Sequence, residues 1–285
     1  MITPREILHQ YGIRPRKKLG QSFLVDVNTI HKIAAAGRFS SDDIVVEIGA
    51  GIGLLTKDIA QVAKRVIAVE IDPQLVKILH DQFDECSNVE IHSCDILKFD
   101  ISSISNNYNT KVNVIGNVPY NISSPVIFHL LSSRSVISCF TLMLQKEVVQ
   151  RLVSLPDNKN YGVPSVLLQM YADIERLFDV SANCFYPRPK VESSIIQGKF
   201  REKPLFDLMD ETFFRHLVKA SFAQRRKMLT NNLKNAKFLE EFSVSELKDA
   251  LNNAGIDGKR RGETLSLQEF GNLSNILKQT RNKIY

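Results

Sequence analysis

The tetrapeptide Asn117-Val118-Pro119-Tyr120 brings together an amide, backbone carbonyls beside a proline, and an aromatic ring. Pro119 stiffens the turn, so a carbonyl at Val118 or Pro119 points at a fixed place. Asn117 can offer its side-chain oxygen to an N–H, and Tyr120 presents a face on which a base stacks. Such a set can grip a planar exocyclic amine. An adenine N6 is a poor nucleophile because its lone pair is delocalised into the ring. Accepting both of its N–H bonds favours a pyramidal nitrogen, and the contacts strengthen as positive charge develops there. Held in line with a sulfonium methyl at about 3–3.5 Å, the nitrogen needs no general base before transfer. In isolation, the same four residues also describe a proline turn with a packing tyrosine.

The elements that must position this turn begin upstream. The run from Ile44 to Ile48 breaks into Gly49, Gly51 and Gly53, after which Leu54, Leu55, Ile59, Val62 and Ala63 recur at helical spacing. This reads as a buried strand, a tight turn and a helix whose N-terminal N–H groups face a negative group. Residues 66–69 form a second apolar strand ending in Glu70, 21 positions after Gly49, where an acid can bind ribose hydroxyls. A third strand at residues 89–91 leads to Asp95. Three consecutive strand ends carrying Gly49, Glu70 and Asp95 describe a pocket for an adenosine-containing ligand.

Helices are expected at 26–37, at 72–83 behind an Asp72 cap and Pro73, at 126–131 and at 145–152. Further strands are expected at 112–116, 140–144 and 195–200, with a polar loop at 102–110 and an apolar segment at 166–174. The alternation implies an α/β fold with a mostly parallel sheet. Past Pro204 the strand signal disappears. Residues 211–233 read as one helix, and Ser243 with Glu246 and Ser266 with Glu269 are capping boxes. The reading is a catalytic domain over residues 1–203 and a small helical domain over 204–285.

With 285 residues, 44% of them hydrophobic, the chain can bury a good core and a second, smaller one. The net charge is +6, and residues 201–285 hold 16 Lys/Arg against 11 Asp/Glu, so +5 of it lies in the last third. That balance suits a polyanionic partner. Arg14, Arg16, Lys17 and Lys18 precede Gly20-Gln21-Ser22-Phe23-Leu24, which reads as an ordered arm folding over the pocket. The four cysteines are scattered without a Cys-x-x-Cys, which argues against a structural zinc site or a disulfide framework and for a reducing compartment. With no signal region and no membrane-spanning run, a soluble cytoplasmic protein is expected. Phe185 reads either as a core aromatic or as the second face of a base sandwich opposite Tyr120.

Five motifs occur in one order: Leu19-Gly20-Gln21-Ser22-Phe23-Leu24, residues 47–53, residues 117–122, Phe185-Tyr186-Pro187-Arg188-Pro189-Lys190-Val191, and Phe222-Ala223-Gln224-Arg225-Arg226-Lys227. From about Leu19 to near the C-terminus, the chain closely resembles the bacterial 16S ribosomal RNA adenine dimethyltransferase family. The resemblance implies a Rossmann-like class I methyltransferase sheet. It also implies transfer of four methyls from S-adenosylmethionine to the N6 atoms of two adjacent adenosines near the 3′ end of 16S rRNA. By position, Gly49 lies against the cofactor's methionine part, Glu70 binds the ribose, Asp95 takes the adenine amino group, and Asn117 lies between cofactor and target. Ser22 and Leu24 occupy cofactor-contacting positions.

Val118, Pro119, Tyr120 and Phe185 complete the expected catalytic set. Arg225, Arg226, Lys227, Arg260 and Arg261, with Lys259, read as rRNA phosphate contacts or as solvated helix faces. Ser22 stands where the family usually has Asn or His, and Val118 replaces a usual Leu. A monomer acting on the small ribosomal subunit or its precursor, in its maturation, is the expectation. A nicotinamide-dependent oxidoreductase would share the glycines and Glu70 but not Asp95 with Asn117–Tyr120. A 23S rRNA resistance methyltransferase and an assembly factor that keeps the fold share more.

Overall fold

All five residues of the strand Ile-Val-Val-Glu-Ile, 44–48, are buried. Strands of a parallel sheet are covered on both faces and so need continuous apolar runs. The computed structural model describes residues 4–284. It opens with α1 (Pro4–Gln10), β1 (Phe23–Leu24) and α2 (Val27–Ala36). Alternation follows through β2 (Ile44–Ile48), α3 (Leu54–Ala60), β3 (Arg65–Glu70), α4 (Pro73–Phe83) and β4 (Val89–Ser93). It continues through α5 (Ile101–Tyr108), β5 (Val112–Asn117), α6 (Ser123–Ser132), β6 (Ile137–Gln145) and α7 (Lys146–Leu152). Next come α8 (Val163–Tyr171), β7 (Ala172–Val180), β8 (Phe185–Tyr186) and β9 (Ser193–Phe200), then α9 (Glu211–Ser221), α10 (Leu229–Lys234), α11 (Val244–Asn253) and α12 (Leu267–Ile284).

Seven strands form one sheet in the order β4-β3-β2-β5-β6-β9-β7. The pairs β3/β4, β2/β3, β2/β5 and β5/β6 are parallel, and β6/β9 is antiparallel. The chain runs outward from β2 to β4, then returns to lay β5 on the other side of β2. That reversal is a topological switch point, where open α/β sheets bind ligands beyond the strand C-termini. Register decides what meets there. Ile48 pairs with Val69 on one side and Gly116 on the other, so Gly49, Glu70 and Asn117 leave the sheet at one level.

Three expectations change. The polar stretch 102–110 is α5, capped by Asp100 accepting from Ser102 N at 2.9 Å, with Ile101 and Ile104 buried. Its apolar stripe is too sparse to stand out in a run of Ser and Asn. The apolar segment at 166–174 is the end of α8 and the start of β7, a helix joined to a strand with no punctuating Gly or Pro. The long helix at 211–233 is broken: α9 ends at Ser221, and residues 222–228 form a turn before α10.

The chain divides into two compact units, the second comprising Gln150–Asp173 and Arg201–Tyr285. The boundary near 203 therefore misses an insertion: residues 150–173 belong with the C-terminal helices. Within the second unit, Tyr161 is buried edge-on against Phe222, and the Tyr171 and Met170 carbonyls accept from Arg201 N and Leu205 N. The apolar face of α9 buries Phe213, Phe214, Leu217 and Val218. Both capping boxes form, with Ser243 N and Ser266 N each donating to a glutamate Oε2 at 2.7 Å. Gly255, at φ +70°, ends α11 in a left-handed cap.

One carboxyl sits inside the first unit's core. Glu47, on β2, is 2% exposed and accepts from Thr56 Oγ1 at 2.6 Å. Burial, opposed by that hydrogen bond and helped by the charge of Glu70, pushes its pKa up to about 8. A carboxyl that binds its proton more tightly when folded stabilises the fold below its unfolded pKa near 4.5, and this is lost as pH rises toward 8. Glu47→Gln keeps the acceptor for Thr56 and removes the titration. The expected outcome is a denaturation midpoint that falls less between pH 5 and pH 8 in the variant than in the parent, read by urea titration at several pH values.

Candidate active site

A cleft of about 990 Å³, open to solvent, lies beyond the C-terminal ends of β2, β3 and β5. Its floor is the glycine turn. Gly49 N and Ala50 N both donate to Val69 O, at 2.9 and 3.2 Å, which folds the turn back over β3. Gly49 has φ +68° and Gly53 φ +78°, conformations that favour glycine. At Gly53 a Cβ would also stand 2.6 Å from the Phe83 ring. The turn thus presents bare backbone to the cleft.

Glu70 closes one side. Its Oε2 accepts from Gly51 N, and its Oε1 from Ile71 N and Asp72 N, each at 2.9 Å. Burial raises its pKa against those three bonds. Asp95 also lines the cleft, as the cap of a short 3-10 turn, with Oδ1 accepting from Leu97 N at 3.0 Å. Its second oxygen has no described partner. Two carboxylates, a bare glycine backbone and a largely apolar wall fit an adenosine whose hydroxyls and amino group are donors.

The N-terminal arm forms the opposite wall through Leu19, Gly20, Gln21, Ser22 and Phe23. It is fastened by Asp72, which is 2% exposed. Arg16 Nη1 lies 3.0 Å from Asp72 Oδ1, and Gln21 Nε2 donates to Asp72 Oδ2 at 2.8 Å. Gln21 Oε1 in turn accepts from Arg16 N at 2.7 Å. The sequence marks Asp72 only as a helix cap, a role it also fills by accepting from Gln74 N. Its part in holding the arm, like that of Gln21, is visible only once α4 and the arm are placed side by side.

Asn117 stands at the cleft's inner end, where its Nδ2 donates to Ser22 O at 3.2 Å. That bond orients the amide and leaves its Oδ1 without a partner among the described residues. The Ser22 hydroxyl points elsewhere, donating to Pro187 O at 2.8 Å. Val118 is buried, its N–H bonded to Met143 O, and Pro119 O accepts from Ile122 N at 3.0 Å. Tyr120 lines the cleft and anchors its hydroxyl on Ser193 Oγ at 2.8 Å; burial raises its pKa, so the phenol stays neutral. Ser193 is a third residue whose part sequence spacing did not reveal.

Leu24 borders a neighbouring hollow of about 500 Å³ that shares Phe23, Gly49, Gly51 and Asn117 with the cleft. Phe185 borders neither. Pairing with Leu24 turns it inward, 2% exposed, among Ile33, Met143 and Ile195, so the base-sandwich expectation gives way to the core aromatic. Among the expected RNA contacts, Arg225 is used internally, donating to Lys159 O, Tyr161 O and Glu263 Oε2. Arg260 pairs with Glu269, the capping-box acid of α12, and with Thr264. Neither is a loose phosphate contact. Arg226, Lys227, Lys259 and Arg261 are exposed, the first two in the turn between α9 and α10 and not on a helix face.

The sheet and its cleft define a Rossmann-like class I methyltransferase. The family model for ribosomal RNA adenine dimethylase matches residues 12–278, and the chain belongs to that family. It is 43% identical over 278 residues to the ribosomal RNA small subunit methyltransferase A of Syntrophus aciditrophicus, covering 97% of this chain and 99% of that one. Identity to the Bacillus cereus protein of that name is 42%, over 96% and 94% of the two chains. Among solved structures, a dimethyladenosine transferase from Plasmodium falciparum superposes with TM-score 0.77 at 27% identity, over 88% of this chain and 95% of that one. The 23S rRNA methyltransferase ErmE gives 0.68 at 26%, over 90% and 100%. The chain is an S-adenosylmethionine-dependent rRNA adenine dimethyltransferase.

Gln21→Ala removes both bonds through which that side chain ties the arm down while leaving every cleft carboxylate intact. At about 1 kcal/mol for each of the two bonds, the affinity for S-adenosylmethionine is expected to weaken by about thirtyfold in calorimetric titration, with the fold unchanged by circular dichroism.

Proposed function

We propose that this protein dimethylates the N6 atoms of two adjacent adenosines near the 3′ end of 16S rRNA, acting as a cytoplasmic monomer on the small subunit or its precursor. The observation that carries it is the Asn117-Val118-Pro119-Tyr120 turn, set by register beside Gly49 with its amide oriented by Ser22 O. Curated relatives at 40–43% identity are all named for the small subunit, which favours that substrate over the one named for ErmE. Among the described residues, no helix is long and apolar enough to cross a membrane.

S-adenosylmethionine, when bound, supplies an electrophilic methyl on a sulfonium. The Gly49 turn, Glu70 and Asp95 would hold its methionine part, ribose and adenine. Asn117 Oδ1 and the Val118 carbonyl accept the two N6 hydrogens of the target, since the Pro119 carbonyl is already engaged by Ile122 N. These acceptors draw the N6 lone pair out of the ring and gain strength as the nitrogen becomes cationic. Tyr120, held by Ser193, supplies a stacking face at fixed height. The alkylated nitrogen then loses its proton to solvent.

Asn117→Ala is expected to abolish transfer of labelled methyl to small subunits from a strain lacking the modification, while cofactor affinity stays within tenfold. Label in the parent reaction should fall on two adjacent adenines; label confined to large-subunit RNA would refute the substrate. In the second unit, Arg226→Ala with Lys227→Ala should weaken small-subunit binding and flatten its salt dependence by about 1.5 in log–log slope. Arg225→Ala should instead lower the melting temperature, because it strips the donor from two carbonyls and Glu263.

A further inference from the structure

We propose that the outer end of the two-stranded β1–β8 ribbon binds the RNA strand that carries the target adenosine, with Lys18, Arg188 and Lys190 on its phosphates and Tyr186 stacked on a base beside the target. The inference rests on the reading of the cleft as an RNA methylation site and adds a surface to it. β1 and β8 are antiparallel, pairing Phe23 with Tyr186 and Leu24 with Phe185. That direction lays the residues before 23 alongside the residues after 186. Ser22 and Pro187, 165 positions apart, are joined there by a hydrogen bond of 2.8 Å.

The ribbon end adjoins the chemistry. The carbonyl of the same Ser22 receives Asn117 Nδ2, so the segment after β8 stands two hydrogen bonds from the residue that grips the amine. On the other side of the ribbon, Gly20 faces the catalytic turn so closely that a Cβ would lie 2.8 Å from Asn121 Oδ1. The ribbon end thus borders the cleft that would take the target nucleotide.

The side chains at the rim suit such a strand. Strand alternation buries Phe185 and leaves Tyr186 43% exposed. Arg188 and Lys190 are exposed, as is Lys18, and among the described residues none of the three has an ion pair. Neighbouring charges are already committed, Arg16 to Asp72 and Lys146 to Asp179 and Glu192. Glu192, the one acid in the segment 186–192, is thereby neutralised. Pro187 and Pro189 restrict the backbone of the segment, which limits the ordering cost of binding. Cations tracking a backbone beside an exposed aromatic are the composition of a single-strand binding surface. Arg226 and Lys227 lie in the other unit, so this surface is independent of them.

The test uses the full-length enzyme and small subunits lacking the modification. Arg188→Ala with Lys190→Ala is expected to raise KM for the subunit about tenfold, to leave S-adenosylmethionine affinity within twofold, and to flatten the salt dependence by about 1.4. Tyr186→Leu is expected to raise that KM at least about fivefold, with Tyr186→Phe close to the parent. An Arg188→Lys, Lys190→Arg variant should restore binding, which a merely structural role would not require. Unchanged KM and salt slope in the Ala variants would overturn the surface. Failure of the parent enzyme to label the RNA would instead overturn the methylation reading.

Discussion

The register of three parallel strands sets everything else in this molecule. Ile48 faces Val69 and Gly116, and the residues that follow each are Gly49, Glu70 and Asn117. A slip of one residue in either pairing would turn the side chain of the next residue to the opposite face. The glycine turn, the Glu70 carboxylate and the Asn117 amide would then no longer share a cleft. The register is held by the apolar continuity of β2, β3 and β5, whose side chains interlock with helices on both faces. Catalytic geometry here is a property of the core.

Much of this was legible in the chain. Apolar runs ending in Gly49, Glu70 and Asn117 identify three strands and the edge they share, because burial on both faces leaves an unmistakable pattern. Capping boxes at Ser243 and Ser266 are local hydrogen-bond chemistry and formed as read. The losses were of three kinds. Elements with a weak stripe, such as α5, carry little pattern. Boundaries without a breaker, such as α8 into β7, hide a change of period. Partnerships across long separations, such as Asp72 with Arg16 and Gln21, or Tyr120 with Ser193, leave no mark in either local sequence.

Charge was the least legible property. Arg225, Arg226 and Lys227 are adjacent and of one kind, yet Arg225 serves the fold while its neighbours face solvent. Arg260 and Arg261 divide in the same way. A guanidinium can cross-link several carbonyls or a carboxylate inside a unit as readily as it can take a phosphate. A basic run therefore overstates the cations available to a polyanion. The count of uncommitted ones follows only from the hydrogen-bond partners.

The bond that orients Asn117 ends on a main-chain oxygen, Ser22 O, while the serine hydroxyl is turned to another loop. What the amide senses at position 22 is the path of the arm, not the chemistry of the residue on it. Serine can therefore stand where Asn or His is usual without disturbing the orientation of the Asn117 amide. Drift at that position leaves the Asn117 amide where it is, whereas a shift of the arm by one residue, with every side chain kept, does not.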